Sequence, residues 1–137
     1  MTYNGANTQL TTVTECTTVS GTACGTNRTL SFAYGNSSYP NSITSVTSSA
    51  GAGTGTLKVS FSYGSGGLLA MSGDADGNTT YYGYDNEGTL DSIQSPNEHA
   101  GSASGFQLSY DTSARADYTQ DPAANAAGLA SITSYSY

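Results

Sequence analysis

A tyrosine closes an alternating apolar stretch again and again along this chain. That recurrence limits the folds open to the sequence more than any other feature. The clearest copy runs from Gly73 to Leu90. It reads as a turn (Gly73-Asp74-Ala75-Asp76-Gly77), a strand ending in Tyr84-Asp85, a second turn at Gly88, and a new strand opening with Leu90. Weaker copies are Leu30-Ser31-Phe32-Ala33-Tyr34-Gly35, Leu57 to Gly64, and Phe106 to Asp111. Ile132 to Tyr137 starts another, and Tyr3-Asn4-Gly5 reads as the tail of an earlier one. The anchors fall at Tyr34, Tyr63, Tyr84, Tyr110 and Tyr135 or Tyr137, about twenty to thirty residues apart, a spacing typical of repeat architectures.

The strands are legible between the anchors. Leu57, Val59, Phe61 and Tyr63 alternate with Lys58, Ser60 and Ser62, so one face is apolar and the other polar. Leu30/Phe32/Tyr34 and Phe106/Leu108/Tyr110 do the same. After each anchor comes an apolar pair offset by three: Leu10/Val13, Ile43/Val46, Leu68/Met71 and Leu90/Ile93. Such pairs would face opposite ways on a regular strand, so a bulge or a twisted strand start is expected there. Gly, Ser, Asn and Pro clusters separate the strands, Ala50 to Gly55 among them. No segment reads as a helix; Asp121 to Ala127 reads as a loop bounded by Pro122 and Gly128. The expected fold is all-β. It is a repeat array of antiparallel β-hairpins forming a curved open sheet, a spiral or a tube segment. One domain spans 1–137 with about five degenerate repeats, and 1–29 carries a cysteine-containing hairpin.

Composition sets limits on this reading. Leu, Ile, Val and Phe total 18 of 137 residues, which beside a net charge of −7 warns of disorder. Two features oppose that warning. Charged residues are only 9%, so self-repulsion is weak, and 11 Tyr at strand positions supply the area that aliphatics would otherwise give. Three Lys/Arg against ten Asp/Glu argue against nucleic-acid binding, which needs phosphate neutralisation. Arg28, Lys58 and Arg115 are scattered and form no patch. No signal peptide or membrane span is present in the sequence. A chain that starts mid-repeat reads as a cut segment, or as a subunit whose leader has been removed.

Cys16 and Cys24 enclose seven residues in or beside a hairpin loop. As a disulfide they would contribute about 2–3 kcal/mol by chain entropy; the alternative is two free thiols in a reducing compartment. The spacing, without His or further Cys, does not make a zinc site. With few Lys and many Thr and Ser, an extracellular or cell-surface setting is expected. Asn27-Arg28-Thr29, Asn36-Ser37-Ser38 and Asn78-Thr79-Thr80 are candidate glycosylation sequons.

The Gly73–Leu90 stretch resembles the tyrosine-aspartate (YD) repeat of Rhs proteins and of the B and C components of Tc toxins. The resemblance extends in weaker form over nearly the whole chain. Tyr84-Asp85-Asn86-Glu87-Gly88-Thr89-Leu90 is similar to the family's Tyr-Asp-x-x-Gly-Arg-Leu, with Thr89 where Arg is usual. Tyr110-Asp111 keeps the dipeptide, with Ala114 where Gly is expected; Tyr34-Gly35, Tyr63-Gly64 and Tyr3-Asn4 keep only the Tyr. The run Leu10 to Tyr34, with its Cys pair, also resembles the segment preceding such arrays. The resemblance implies a β-sheet ribbon that spirals into a shell around a toxic domain or other cargo. About five repeats are too few to close one. The chain is then expected to be part of a longer shell protein, or a subunit that pairs through its strand edges into a fibre or tube.

Chemical constellations are weak. Asp74, Asp76 and Asn78 fall at positions one, three and five of a calcium-loop pattern, with Asp85 at twelve. Thr79 stands where the loop needs Gly, so a plain Asp-Gly turn is the better reading. His99, the one histidine, reads as a solvated loop residue. Gly101 to Gly105 has no Ser at its centre and makes no nucleophile elbow, and Gly51 to Gly55 lacks the Lys of a phosphate loop. The expectation is a non-enzymatic structural protein with no cofactor. Its packing anchors are Tyr34, Tyr63, Tyr84, Tyr110 and Tyr135. Asp85, Gly88 and Asp111 form turns, Cys16 and Cys24 are the disulfide candidates, and Asn27, Asn36 and Asn78 the glycan acceptors. The alternative is a sugar-binding adhesion module using exposed Tyr rings; an enzyme ranks third.

Overall fold

The structure, a computed structural model, describes residues 1–6, 8–50, 55–101, 105–122 and 133–137. The Ala50–Gly55 and Gly101–Gly105 loops, the Asp121–Ala127 loop and the start of the Ile132–Tyr137 repeat fall partly or largely outside those residues. The described chain is all-β apart from one short helix and one 3-10 turn. Eleven strands lie in one open sheet in strict sequence order: β1 (Thr2–Tyr3), β2 (Leu10–Ser20), β3 (Ala23–Ala33), β4 (Ser45–Ala50), β5 (Thr56–Tyr63), β6 (Leu69–Asp74), β7 (Thr79–Tyr84), β8 (Leu90–Gln94), β9 (Phe106–Tyr110), β10 (Ala116–Gln120) and β11 (Thr133–Ser134). Among the described residues, no helix is long and apolar enough to cross a membrane.

Helix α1 (Pro96–Ala100) corrects the expectation of no helix. Its start carries a full capping box. Ser95 accepts from the Glu98 N–H, the Glu98 carboxylate accepts from the Ser95 N–H at 2.7 Å, and Pro96 sits at the first helical position. A five-residue helix presents too little periodicity to be seen as a helix. Its Ser-Pro-Asn-Glu start was the available signal.

The chain divides into two compact units, 1–63 with 72–77, and 64–71 with 78–137. In the first, Val13 pairs with Leu30, Phe32 with Val46, and Val46 with Val59. The alternate rows pair Thr12 with Ser31 and Ser31 with Thr47. Cys16 and Cys24 are disulfide-bonded, joining β2 to β3. In the second unit, Ile93 is flanked by Tyr82 and Phe106. Ser92 is flanked by Gly83 and Gln107. These rows alternate apolar and polar, as the pleat demands. Leu57 departs from the expected apolar face: across a bulge at Lys58 it pairs with Thr47 and is exposed. Burial is shallow throughout. Among the described residues only Gly105 is buried, and no side chain is fully enclosed. A Cβ on Gly105 would overlap the Ile93 carbonyl oxygen, so β8 and β9 meet there only because the position is glycine.

Two of the four offset-of-three pairs, Leu10/Val13 and Leu90/Ile93, have their cause in bulges. The β7–β8 register passes from Gly83↔Ser92 to Tyr84↔Leu90, skipping Asp91. The β1–β2 register skips Thr11 and the β9–β10 register skips Asp117 in the same way. One extra residue brings Leu90 and Ile93, or Leu10 and Val13, to the same face.

Three turns of the second half share one hydrogen-bond plan. Asp85 N–H donates to the Thr89 carbonyl at 2.9 Å, and Gly88 N–H to the Asp85 carbonyl at 3.1 Å. Asp111 and Arg115 (2.9 Å), with Ala114 and Asp111 (3.0 Å), repeat it; so do Gly64 and Leu68 (2.9 Å), with Gly67 and Gly64 (3.3 Å). The fourth residue of each turn is left-handed: Gly67 at φ 78°, Gly88 at 83° and Ala114 at 57°. Ala114 is the one non-glycine residue with positive φ among the described residues. The turn alignment also places Leu69, rather than Leu68, at the strand start equivalent to Leu90.

Left-handed backbone costs an L-residue roughly 1–2 kcal/mol. Gly88→Val should therefore lower stability by about 1–3 kcal/mol, and Ala114→Gly should raise it by about 0.5–1 kcal/mol, both read from chemical denaturation. A destabilised Ala114→Gly would contradict the shared turn plan.

Candidate functional site

The recurrent chemistry of this chain sits where each hairpin closes. Tyr34 ends the β2–β3 hairpin and donates its hydroxyl to the Leu10 carbonyl at 3.0 Å. Tyr63 ends β4–β5 and donates to the Ile43 carbonyl at 2.7 Å. Tyr84 follows with the Leu69 carbonyl at 3.0 Å, and Tyr110 with the Leu90 carbonyl at 2.8 Å. In every case the acceptor lies at or just before the start of the hairpin's opening strand. All four tyrosines are half-buried. Each hydroxyl thus reaches across its own hairpin and satisfies a main-chain acceptor at the strand mouth.

Carboxylates organise the adjoining turns. Asp85 Oδ1 accepts from the N–H groups of Glu87 (3.0 Å) and Thr89 (2.7 Å). Asp111 Oδ1 accepts from Ser113 (2.8 Å) and Arg115 (3.0 Å). Asn4 stands in the same role before β2, its Oδ1 accepting from Thr8 at 3.0 Å and Gln9 at 3.3 Å. Asp111 has an added partner: Arg115 approaches its Oδ2 through Nε at 2.9 Å and Nη2 at 2.7 Å. Main-chain and side-chain hydrogen bonds from Arg115 hold the Asp111 carboxyl below the usual carboxylate range. Arg115 is thus tied to the turn and is no scattered charge; its spacing of four from Asp111 is the sequence signal for that.

Neither C-terminal tyrosine is packed as the four above are: Tyr137 is 70% exposed. Continuing the Tyr118↔Ser134 pairing places Tyr137 opposite Arg115, and the guanidinium lies 4.4 Å from the Tyr137 ring centroid. Tyr135 donates its main-chain N–H to Asp117 at 2.8 Å, and its side chain is exposed.

The remaining sequence candidates fall apart from this row. Asp74 caps its own turn, its Oδ1 accepting from Asp76 N–H at 2.9 Å. Among the described residues, no group of three or more His, Cys, Asp or Glu could hold a metal ion. His99 lies in α1, stacked on Tyr81 with centroids 3.6 Å apart, its Nδ1 3.0 Å from Gln94 Oε1. Asn27 and Asn78 are exposed, whereas Asn36 Oδ1 accepts from the N–H groups of Ser38 and Tyr39, both at 2.9 Å. Between neighbouring turns of the second unit lie two shallow depressions, about 460 and 400 Å³. Asp85 and Glu87 line both.

No protein-family model matches the chain, and a search of curated proteins gives no match.

Removing one hydroxyl should separate its hydrogen bond from ring packing. Tyr84→Phe is expected to cost about 0.5–1.5 kcal/mol. Tyr84→Ala should cost roughly 2–3 kcal/mol, less than for a fully enclosed ring because Tyr84 is only half-buried. Both are read from urea denaturation. Wild-type stability in both variants would remove Tyr84 from the role assigned here.

Proposed function

We propose that this chain is a non-enzymatic structural protein of the YD-repeat type that builds an extracellular β-sheet wall or fibre, of the kind that also forms toxin-encapsulating shells. The observation that carries this reading is the series of four tyrosine hydroxyls bonded to strand-mouth carbonyls in four successive hairpins. A repeated side-chain role of this sort multiplies one supersecondary unit along a ribbon. The Asp85 and Asp111 turns add to it, and Arg115 occupies the position of the family's Arg, directly after the left-handed residue. The polar groups that recur are engaged by main chain and serve geometry instead of substrate chemistry.

The extracellular setting rests on the Cys16–Cys24 disulfide. Self-association rests on the sheet's open order and its short outer strands. β1 pairs with β2 only from Leu10 to Thr12, and among the described residues no other strand covers that side of β2. An uncovered strand edge recruits a strand from elsewhere. Copies that do so without closing a ring build a filament.

Electron microscopy of the purified native chain at moderate concentration tests the assignment. Filaments or tubes with a short axial repeat are expected. Monodisperse small particles at every concentration would contradict self-assembly.

A further inference from the structure

The outer part of the β2–β3 hairpin stands apart from the rest of its sheet. β4 pairs with β3 only from Arg28 to Ala33, and β1 reaches β2 no further than Thr12. Among the described residues, 16–20 and 23–27 therefore pair only with each other. The side chains of 16–19 and 23–27 are exposed, including Val19 at 71%. A two-stranded ribbon of this kind is at best marginally stable in water, because it has neither a third strand nor an apolar layer. This one is also irregular. The register skips Thr17 on one strand and Gly25 on the other, so the ladder is interrupted twice within a few residues. Strand propensity from its many Thr residues does not replace the missing cover.

The disulfide lies in this arm. Cys16 sits on the sheet side of both register breaks and Cys24 on the tip side, and both are exposed. The bond therefore spans the weakest part of the ladder, and a soluble thiol can reach its sulfurs. We propose that residues 16–27 form a redox-sensitive arm: ordered while Cys16–Cys24 is closed, and released when it is reduced, with the rest of the sheet unchanged.

The chemistry needs a thiol or dithiol reductant from the surroundings. Its thiolate attacks one sulfur and forms a mixed disulfide, releasing the other cysteine as thiolate. A second thiol then displaces the remaining cysteine. Two electrons and two protons pass to the protein, and the reductant leaves as its own disulfide. The arm thus stays closed in an oxidising compartment and opens on entry into a thiol-rich one. Opening frees the main chain of a Thr-rich segment carrying Val19 and Asn27, whose side chains are already exposed.

The test is hydrogen exchange by mass spectrometry on the full chain. One sample is oxidised; the other is reduced with a dithiol and alkylated. A Cys16→Ser/Cys24→Ser variant serves as a second route to the open state. Arm amides should exchange on the order of a hundredfold faster in the open state, the factor expected from lost loop closure. Amides of β7, β8 and β9 should be unchanged. Equal arm protection in both states would overturn the proposal. So would loss of protection across the whole sheet, which would make the disulfide a global staple, or an arm that is unprotected even when oxidised.

Discussion

A tyrosine hydroxyl bonded to a main-chain carbonyl is the interaction on which the rest of this structure depends. With only Gly105 buried among the described residues, there is little enclosed core to fix each strand against the next. Ordinary β domains obtain their register from such a core. Here each ring covers its own hairpin and its hydroxyl holds the strand mouth, so packing and register come from one residue. Phenylalanine would supply the first and not the second. That explains why the apolar count is so low while tyrosine is so frequent.

The turn and the bulge act one hairpin earlier. Each acceptor opens the tyrosine's own hairpin, so the turn leading into that strand sets where the carbonyl stands. The left-handed fourth residue reverses the chain at Gly67, Gly88 and Ala114. The skipped residue, Asp91 or Asp117, displaces the strand that follows. The turns need not share a sequence. Asp85 and Asp111 stabilise theirs with carboxylates, while Gly64 begins one on main-chain bonds alone. Ala114 carries backbone strain that its glycine counterparts avoid, and the Arg115–Asp111 pair braces the same turn.

Much of this was legible in the amino-acid order, and what was not has physical reasons. Alternation at Leu57 to Tyr63 and at Phe106 to Tyr110 marked β5 and β9, because side-chain period reflects backbone pleat. The Leu90/Ile93 offset pointed to a bulge or a twist, and the pairing settles it as a bulge at Asp91. The acceptors of the tyrosine hydroxyls were invisible, since a carbonyl leaves no mark on residue type. Of the two candidate last anchors, only strand register places Tyr137 opposite Arg115. Helix α1 escaped because one turn has no periodicity, although Ser95 and Glu98 encode its cap. The limits of the β2–β3 arm depend on where β1 and β4 stop pairing, which is a property of neighbours and not of the arm's own residues.

The most direct test of the central interaction is hydroxyl-proton exchange at the tyrosines, read by NMR from the deuterium isotope shift on the ring carbon bearing the oxygen. Tyr34, Tyr63, Tyr84 and Tyr110 should show resolved, slowly exchanging signals, because each donates to a half-buried carbonyl. Exposed Tyr3 should show one averaged signal. Fast exchange at all five would mean that the hydroxyls face water, and the hairpins would then owe their register to something else.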